Sequence, residues 1–479
     1  MTMIRIAPIA SLLALCTIVT TTRCAAQDRL DPVAMGKARA SVASVRGIGA
    51  IASNPGALDL PATHPTTLDQ PLTVSLYDIG GTVGSTYLSS SDFRQIFGSN
   101  AGWPDQDARA RLGVLLQDER LFASGANNLV TLRYHTPDAG TFGLHYGHRA
   151  YARLNFPDDF SRVIAKGELL LDQYRFINRG VGGTWFTELG LSYGKAFGGT
   201  STPGWFPQVG VGATARLLNG VAQFEVDENS FIAVDQQTLR GTRAYIIQGG
   251  YVVRSAQPDR LDPANAFSEF EAGLFPATSG TGLGLNVGIS GVLYRMYGEG
   301  TAPAGRNAVY FGMALEDVGS IRWKDVAYER TQTGISDTLF NGTLSNDQFR
   351  AYQGTLRRTD GYSTNLPMVF RAGLAVDVGA YARDLAGTLI VDLEGELPLN
   401  DEPGNSPNPR LALGGDWAIS NSFALRAGLS GGGVSGFGIG LGIGYRPASW
   451  LAIDIGSSEV NSIFTGNRAD LAFRLSAGF

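Results

Sequence analysis

The chain has 479 residues and a formal net charge of −5, from 38 Lys and Arg against 43 Asp and Glu. This mildly acidic balance offers no basic surface for nucleic acid, so the sequence argues against nucleic-acid binding. Glycine is frequent, at 63 residues, and only 17% of residues are charged against about 25% in an average soluble protein. The length fits two or three soluble domains or one large barrel.

The first residues have the features of an export signal. Arg5 precedes an apolar run, and Cys24-Ala25-Ala26 supplies small residues before Gln27. This pattern predicts a signal peptide over residues 1–26. A retained membrane anchor and a lipoprotein acylated at Cys24 are alternatives. The apolar run is short for a spanning helix, and Arg23 directly before the cysteine disfavours acylation.

Both cysteines, Cys16 and Cys24, lie within this segment. The mature chain would therefore have no disulfide, no thiolate metal site and no cysteine nucleophile. After residue 27 no apolar run reaches the length of a spanning helix. A mature chain that crosses a membrane would then have to do so as a closed barrel of strands.

Residues 32–60 are rich in small residues and lack the alternation of a strand. Met35-Gly36 and Asn54-Pro55-Gly56-Ala57-Leu58 resemble the N-terminal region of the FadL-type superfamily of outer-membrane barrels, in which this segment forms a plug inside the barrel. The resemblance implies a plug over residues 27–70 with its motif at Asn54, Pro55, Gly56 and Leu58. The acidic pair that usually precedes the motif in that superfamily is replaced here by Gly47–Ala50.

Segments in which apolar residues alternate with polar residues or glycine follow this region and predict strands. Less regular examples are Leu144–Phe156, Trp185–Tyr193, Val209–Leu217, Leu283–Ile289 and Phe311–Leu315. Pro137–Gly140 and Asn219-Gly220 carry turn signals and predict hairpins. Pro157–Gly183 and Gln332–Thr364 show little alternation and are predicted to be external loops or partly helical insertions.

Alternation is strongest over residues 366–479, where six segments each place apolar side chains on one face and charged residues or glycine on the other. In the neighbouring stretch Gly436–Gly444, glycine occupies every second position. A phosphate-binding loop needs glycines at i, i+2 and i+5 before a helix, which this stretch lacks. We expect its bare face to line the barrel interior, against the plug or a narrow passage.

The connections between these C-terminal segments alternate between short and long, as in outer-membrane barrels with short periplasmic turns and longer external loops. With the C-terminus inside, every long linker of this region falls outside. These patterns predict an all-β protein, a single-chain transmembrane antiparallel β-barrel of about 14 strands, within a range of about 12–16. The barrel would comprise residues 71–479 and lie in the outer membrane of a Gram-negative-type bacterium, in contact with outer-membrane lipid.

The chain ends with Phe479 after apolar residues at every second position. This ending resembles the C-terminal signal that the barrel-insertion machinery of the outer membrane recognises, and an ordinary edge strand is the alternative. The resemblance implies that this machinery is a partner of the chain.

Two further resemblances concern other parts of the barrel. The stretches LPMVFRAGLAVDV and LIVDLEGELPLN and the final hairpins resemble the PorV-type branch of the superfamily, which assists protein secretion. The middle of the chain, with TWFTELGLSYGKAF, VGVGATARLLNG and LEDVGSIRW, is similar to a related Bacteroidota-type family of outer-membrane barrels without an assigned function.

Charged residues within the strands are predicted to face the barrel interior. The candidates are Arg133, His145, Arg149, Arg371, Asp377, Asp392, Glu394, Glu396, Arg426 and Arg474, with His135 and Arg153 on the same faces. Pairing across strands is the structural interpretation. A lining that selects a solute is the second interpretation, and acid–base catalysis by paired carboxylates is a third, for which no nucleophile or base stands nearby.

His145 and His148 are three residues apart, which places them on opposite faces of a strand and disfavours a zinc site. No catalytic residue, cofactor site or metal site is predicted, and the chain is not expected to be an enzyme.

Three functions remain open. The barrel passes or binds hydrophobic small molecules, as the FadL-type resemblance implies, or it docks secreted proteins as a non-enzymatic accessory, or it is purely structural. Transport in this broad sense is favoured.

Overall fold

In the computed structural model, the described residues are 30–479 except 98–105, 117–119, 158, 160, 163–173, 178–179, 200–203, 240, 258–275, 297–306, 325–326, 341–353, 383, 407 and 434–435. The predicted signal peptide and the first three residues of the predicted plug lie outside the described residues. No helix in the described part of the chain is long and apolar enough to cross a membrane.

Fourteen strands of the described residues form a closed antiparallel ring. In order around the ring they are β1 (Leu72–Ser85), β2 (Arg120–Thr136), β3 (Gly140–Asn155), β5 (Val181–Gly198), β6 (Gly204–Val226), β9 (Gly280–Arg295), β10 (Asn307–Trp323), β14 (Val369–Asp377), β15 (Thr388–Pro398), β16 (Arg410–Ala418), β17 (Phe423–Gly432), β18 (Gly436–Ala448), β19 (Leu451–Ser457) and β20 (Arg468–Gly478). Strand β20 pairs with β1, Gly478 opposite Thr73, which closes the ring. The predicted all-β barrel of about 14 strands is confirmed.

Six further strands lie in the connections at one end of the ring. They are β4 (Tyr174–Ile177), β7 (Phe231–Leu239), β8 (Thr242–Ala256), β11 (Ala327–Phe340), β12 (Thr355–Arg358) and β13 (Tyr362–Asn365). Residues 253–256 of β8 pair with residues 223–226 at the end of β6, and β7 and β11 pair along the two sides of β8. Strands β7, β8 and β11, here named the sheet extension, thus continue the barrel wall beyond the ring.

The helices are short. They are α1 (Pro32–Gly36), α2 (Ala50–Ser53), α3 (Ser90–Phe97), α4 (Gln106–Leu115) and α5 (Ser462–Thr465), with 3₁₀ helices at Gly47–Gly49, Pro55–Ala57 and Val378–Ala380. Helices α3 and α4 belong to the β1–β2 connection. There Leu88, Leu112 and Leu116 form a buried cluster with Leu121 and Phe156 of the wall.

The two ends of the barrel differ in their connections. The end at which β1 begins and β20 finishes, here named the terminal end, has short connections at 137–139, 199–203, 419–422 and 449–450. The opposite end, here named the loop end, carries the added strands and α3–α5. The alternation of linker length is weaker than predicted, because the loop-end connection 433–435 is shorter than the terminal-end connection 378–387.

Strand β16 shows how the alternating sequence sets the two faces of the wall. Leu411 and Leu413 are 60% and 49% exposed, whereas Arg410 and Asp416 are only 7% and 6% exposed. A soluble sheet would turn its charged side chains to water and bury its leucines. The outer face of the ring is therefore apolar, and its interior is polar.

The predicted hairpin at Asn219-Gly220 is wrong. Both residues lie inside β6, where they pair with β5 on one side and β9 on the other. Packing explains why a glycine stands at position 220, because a Cβ at Gly220 would lie 2.4 Å from the ring of Trp323. Val221 is the extra residue of a β-bulge in the same strand. The turn signal at Pro137–Gly140, in contrast, does join β2 to β3.

The two stretches predicted to be loops contain short strands as well. Pro157–Gly183 holds β4 and the first residues of β5, and Gln332–Thr364 holds part of β11, all of β12 and part of β13. Their centres, residues 163–173 and 341–353, lie outside the described residues.

Candidate functional site: the plug and the barrel interior

Residues 30–70, here named the plug, lie inside the ring. Helix α1 begins where the Asp31 carboxylate accepts hydrogen bonds from the backbone N–H groups of Val33 at 2.8 Å and Ala34 at 3.0 Å. Pro32 occupies the first turn, where its missing N–H has no cost. The plug side chains Met35, Ala38, Val42, Ile51 and Leu58 are almost completely buried.

The alternating glycines of β18 lie against the plug backbone. A Cβ at Gly440 would lie 2.2 Å from the backbone nitrogen of Ala38, and one at Gly442 would lie 2.9 Å from the Cα of Gly36. Strand β19 repeats the contact, since a Cβ at Gly456 would lie 2.1 Å from a plug carbonyl oxygen. The bare face of β18 therefore lines the interior and is the surface on which the plug packs.

The plug motif lies against strands β5, β6 and β9 of the opposite wall. The Asn54 side chain accepts from the Gly56 N–H at 3.1 Å and donates to the carbonyl oxygens of Val42 at 3.0 Å and Ile289 at 3.2 Å. It thereby caps the 3₁₀ helix Pro55–Ala57 and fixes the motif to β9. A Cβ at Gly56 would lie 2.5 Å from a carbonyl oxygen of β9, so only glycine fits there.

Glu394 of β15 binds the plug backbone directly. Its Oε2 accepts from the N–H groups of Ser41 and Val42, both at 2.7 Å. Its Oε1 pairs with Arg371 of β14 at 2.6 Å, and Arg371 reaches Glu316 of β10 at 3.3 Å. A carboxylate without neighbouring donors would be costly at this depth, and here each oxygen has a donor.

Three more buried ion pairs lie along the plug. Lys37 pairs with Asp392 at 2.8 Å, Arg474 with Asp31 at 2.5 Å, and Arg410 with Glu396 at 2.5 Å. Arg410 and Glu396 are both wall residues, whereas the other two pairs join plug to wall.

At the terminal end, Arg133 donates to the carbonyl oxygen of Leu58 at 3.3 Å and pairs with Asp69 at 3.4 Å. His135 lies 3.1 Å from Asp59, whose other oxygen accepts from the N–H of Ala196 in β5 at 2.8 Å. These contacts hold the last part of the plug against β2 and β5.

A second charge cluster lies on β3, β5, β6 and β10. Glu188 receives Arg149 at 3.0 Å, Arg216 at 2.9 Å and His145 at 3.2 Å, and Arg216 also reaches Asp317 at 2.6 Å. These side chains are buried and belong to the wall. The cluster is a cross-strand network, and it contains no nucleophile next to a base.

The remaining candidates are placed as follows. Arg426 pairs with Asp416 at 3.3 Å and Asp454 at 2.7 Å, beside His64 of the plug. Asp377 shares the inward face of β14 but lies at its end, half-buried, where it accepts from the N–H of Gly379 at 2.9 Å. It differs in this respect from the other nine candidates, which are buried inside the ring.

The two histidines of β3 lie on opposite faces. His145 points to Glu188 in the interior, whereas His148 lies between the outward rings of Tyr146 and Trp185, with centroids 6.2 and 6.3 Å away. Within the described ranges, no group of three or more His, Cys, Asp and Glu side chains could hold a metal ion.

Burial and charge shift the pKa values of three plug residues. Burial alone would raise the pKa of Asp31, but Arg474 and the two capping N–H groups bring it below its ordinary value. Burial lowers the pKa of His64, and Asp416 only partly opposes this. Burial lowers the pKa of Arg46 to about 10, so Arg46 stays charged at neutral pH.

The space left around the plug is small. A cavity of about 60 Å³ lies between the plug and strands β15, β16, β17, β19 and β20. Another of about 20 Å³ lies between the plug and strands β20, β1, β2, β3 and β5. Asp31 and Arg474 line both cavities, so their ion pair stands between the two. A larger cavity of about 610 Å³, lined by charged residues such as Arg153, Glu225 and Glu402, opens at the loop end.

A hydrophobic layer separates the loop-end cavity from the charge clusters. Tyr151, Phe186, Leu218, Trp323 and Leu366 form it and are all buried. The indole N–H of Trp323 donates to the Thr364 hydroxyl at 2.9 Å. The described residues thus leave no wide aqueous passage along the barrel axis.

Sequence reasoning missed several residues of this interior. Glu188, Arg216 and Asp317 of the second cluster were not among the candidates, nor were the plug residues Asp31 and Lys37. Glu188 and Arg216 share the inward faces of their strands with glycines and small residues, a signal that the sequence contains. Asp31 and Lys37 had no such signal, because the plug has no strand period.

No protein of curated function matches the chain in sequence. Among solved structures, the chain is similar to the toluene transporter TodX of Pseudomonas putida, with a TM-score of 0.42 and 10% identity over 94% of this chain and 98% of that one. It is also similar to a FadL homologue of Pseudomonas aeruginosa, with a TM-score of 0.42 and 13% identity over 95% and 98% of the two chains. The monoaromatic hydrocarbon channel CymD gives a TM-score of 0.41 and 10% identity over 94% and 97%.

A family model places the chain more directly. The model of a family of unknown function, DUF5723, matches residues 61–454, which comprise most of the barrel wall. The chain belongs to this family.

Proposed function

We propose that the protein is an outer-membrane barrel that takes up small hydrophobic molecules and releases them sideways through its wall. The apolar outer face supports the membrane location, since exposed leucines such as Leu411 and Leu413 suit hydrocarbon better than water. Buried charges fill the interior, where a plug blocks the axis. A hydrophobic molecule would have little affinity for that interior, so a route through the wall suits it better.

The observation that carries this proposal is an interruption of the β1–β2 pairing. The two strands pair continuously from Leu72 to Ser75 and again from Asp78 onward, but Leu76 and Tyr77 have no partners in β2. Leu76 is also the extra residue of a bulge against β20, and Leu129 is the extra residue of a bulge against β3. Bulges leave ladder hydrogen bonds unmade and weaken the wall locally.

The interruption has an apolar outer rim and a cavity behind it. Leu76, Tyr77 and Val130 are 52%, 41% and 43% exposed on the outside. Ala126 and Asn128, next to the interruption, line the interior cavity of about 20 Å³. Passage of a solute would need this cavity to widen. The two unpaired residues of β1 make such widening less costly than it would be behind an uninterrupted ladder.

Filling the cavity behind the interruption tests the proposal. In a strain that lacks the protein, wild type should restore uptake of radiolabelled toluene, and Ala126→Phe should reduce that uptake several-fold. Ala427→Phe is the matched control, because Ala427 is exposed on the outer face of β17 and an added ring there meets no interior space. Heat-dependent mobility on gels checks that each variant assembles. Equal uptake in all strains would refute the proposal.

A second function, docking of an exported protein at the cell surface, is favoured by the sheet extension. Strand β11 pairs with β8 from Ala327 to Phe340, so a paired sheet projects past the loop end. A photoreactive residue at Gln237, exposed on β7, should then cross-link to a protein in intact cells, whereas one at Leu413 on the outer wall should not. Absence of any protein adduct at Gln237, with normal toluene uptake, would leave transport alone.

A further inference from the structure

The cavity of about 60 Å³ between plug and wall contains an unusual arginine. Arg46 lines this cavity and is only 6% exposed. Its guanidinium donates to the carbonyl oxygens of Ala43 at 3.0 Å and Val45 at 2.7 Å and to the Ser290 hydroxyl at 3.4 Å. It also lies 5.5 Å from the centroid of the Tyr310 ring.

Arg46 differs from the other buried arginines of the interior. Arg371, Arg410, Arg426 and Arg474 each have a carboxylate within ion-pair distance. Arg46 has no carboxylate at that distance among the described residues. Its Nε–H also has no acceptor among them, a feature that it shares with Arg426 and Arg474. A buried charge without a counter-charge is costly, so this position favours a negative ligand.

The carboxylates around the cavity are already engaged by other cations. Asp31 is bound by Arg474 at 2.5 Å, and Asp416 and Asp454 are bound by Arg426. Asp392, whose charge also acts on Arg46, is bound by Lys37 at 2.8 Å. Among the described residues, Arg46 is therefore the charged side chain of this lining that no ion pair neutralises.

The size of the cavity limits the ligand. Its volume of about 60 Å³ exceeds the ~10–15 Å³ that one water molecule needs but is far below the ~300 Å³ of a pocket for a drug-sized molecule. The hydroxyl of Thr67 lines the same space and can donate to an anion, whereas the hydroxyl of Ser44 is hydrogen-bonded to Asp392. A halide ion meets both limits, of size and of donor chemistry.

We propose that this cavity binds a small monovalent anion, of the size of chloride or bromide, on the guanidinium of Arg46. The anion would neutralise the charge of Arg46 and join the centre of the plug to its last turn, where Thr67 lies. Because the ligand binds only when the plug is seated, it would stabilise the seated plug by mass action. This inference does not depend on what the barrel transports.

Thermal unfolding at constant ionic strength tests the site. The full chain is purified in detergent, and sodium gluconate, whose anion is too large for the cavity, is replaced stepwise by sodium chloride. The unfolding midpoint of the wild type should rise by roughly 2 °C and then saturate. Arg46→Gln should lose this chloride response. Arg39→Gln should keep it, because Arg39 is a buried plug arginine that does not line the cavity.

A missing chloride response in the wild type, or an equal response in Arg46→Gln, would overturn the proposal. If Arg46→Gln does not assemble, crystals of the wild type soaked in sodium bromide decide the question. An anomalous peak beside the Arg46 guanidinium supports the site, and a cavity without bromide rejects it.

Discussion

Gly440 of the barrel wall lies directly against Ala38 of the plug. A Cβ on Gly440 would lie 2.2 Å from the backbone nitrogen of Ala38 and 2.8 Å from its Cα. Backbone atoms cannot rotate away as a flexible side chain can. The absence of a side chain at Gly440 is therefore a condition for the seated plug, and the alternating glycines of β18 have a packing role.

The variant Gly440→Val should unseat the plug or destabilise the barrel, because the new methyl groups overlap plug backbone. Overpacking of this kind costs about 1–3 kcal/mol. We expect faster trypsin cleavage at Lys37 and Arg39 within the plug. Gly431→Val is the matched control, since a Cβ at Gly431 meets no atom within 4 Å. Equal cleavage of both variants would contradict the packing role.

Glu394 should act as the main polar anchor of the plug. In Glu394→Gln the two 2.7 Å hydrogen bonds from Ser41 and Val42 lose the charge of their acceptor, and Arg371 loses a counter-charge. Hydrogen bonds to charged groups contribute about 1.5–3 kcal/mol, which corresponds to a roughly 10- to 100-fold rise in the trypsin cleavage rate of the plug.

The control for this variant is Glu329→Gln. Glu329 pairs with Arg254 at 3.4 Å in the sheet extension, where its side chain is 40% exposed. The Glu329→Gln variant removes the same charge far from the plug and should leave the cleavage rate of the plug unchanged. A cleavage rate in Glu394→Gln as slow as that of the wild type would mean that the glycine contacts and the other plug–wall contacts hold the plug without the charge of Glu394.

Seating of the plug should weaken in acid because of Asp31. Its pKa is lower in the folded protein than the ordinary 3.8. A depressed carboxyl pKa adds stability that is complete above the unfolded value and is lost as pH falls through the folded value. The contribution of Asp31 to plug protection from a protease active in acid should therefore be constant from neutral pH to about pH 5 and fall below about pH 4. His64, whose pKa is lowered by burial, adds a separate loss of protection as pH falls below its ordinary value of 6.5.

Asp31→Asn separates this effect from general acid unfolding. The variant loses the pair with Arg474 at every pH, while its amide oxygen can keep both hydrogen bonds of the α1 cap. It should therefore be less protected than wild type at neutral pH and converge with it in strong acid. Asp235→Asn, on β7, should follow the wild-type curve. Parallel curves for wild type and Asp31→Asn would show that the pair does not control seating.

The strand period revealed much of the fold in the sequence. In β16 the side chains lie on the faces that their alternation indicates, apolar for Leu411 and Leu413 and interior for Arg410 and Asp416. A wall with an apolar outer face and a charged interior leaves each strand position only one suitable environment. Asn219-Gly220 misled for the opposite reason. In the sequence, an Asn-Gly pair whose glycine makes room for Trp323 cannot be distinguished from an Asn-Gly pair that forms a turn.

The interior could be predicted only in part. The alternation predicts which charged residues face the interior, but it does not predict their partners. Arg371 pairs with Glu394 and Glu316 from two other strands. Arg474 pairs with Asp31, which is more than 400 residues away in the chain. The sheet extension was also hidden, because β7, β8 and β11 do not divide an apolar outer face from a polar interior. Their residues therefore lack the alternation on which the strand predictions rested.

The last residue allows insertion to be separated from stability. Phe479 closes the barrel through its backbone, donating to the Leu72 carbonyl at 2.7 Å and accepting from the Leu72 N–H at 3.1 Å, while its side chain is 67% exposed. Phe479→Ala keeps both backbone hydrogen bonds. It should change the unfolding free energy of refolded protein by no more than about 0.5 kcal/mol.

The same variant should lower the amount of assembled barrel in cells several-fold if the insertion machinery reads the terminal aromatic ring. Heat-dependent gel mobility of membrane fractions measures that amount. Phe464→Ala is the control, because Phe464 on α5 is 90% exposed and distant from the C-terminus in the chain. A normal cellular yield of Phe479→Ala would show that the insertion machinery does not need the terminal aromatic ring. A loss both in cells and after refolding would place its role in folding itself.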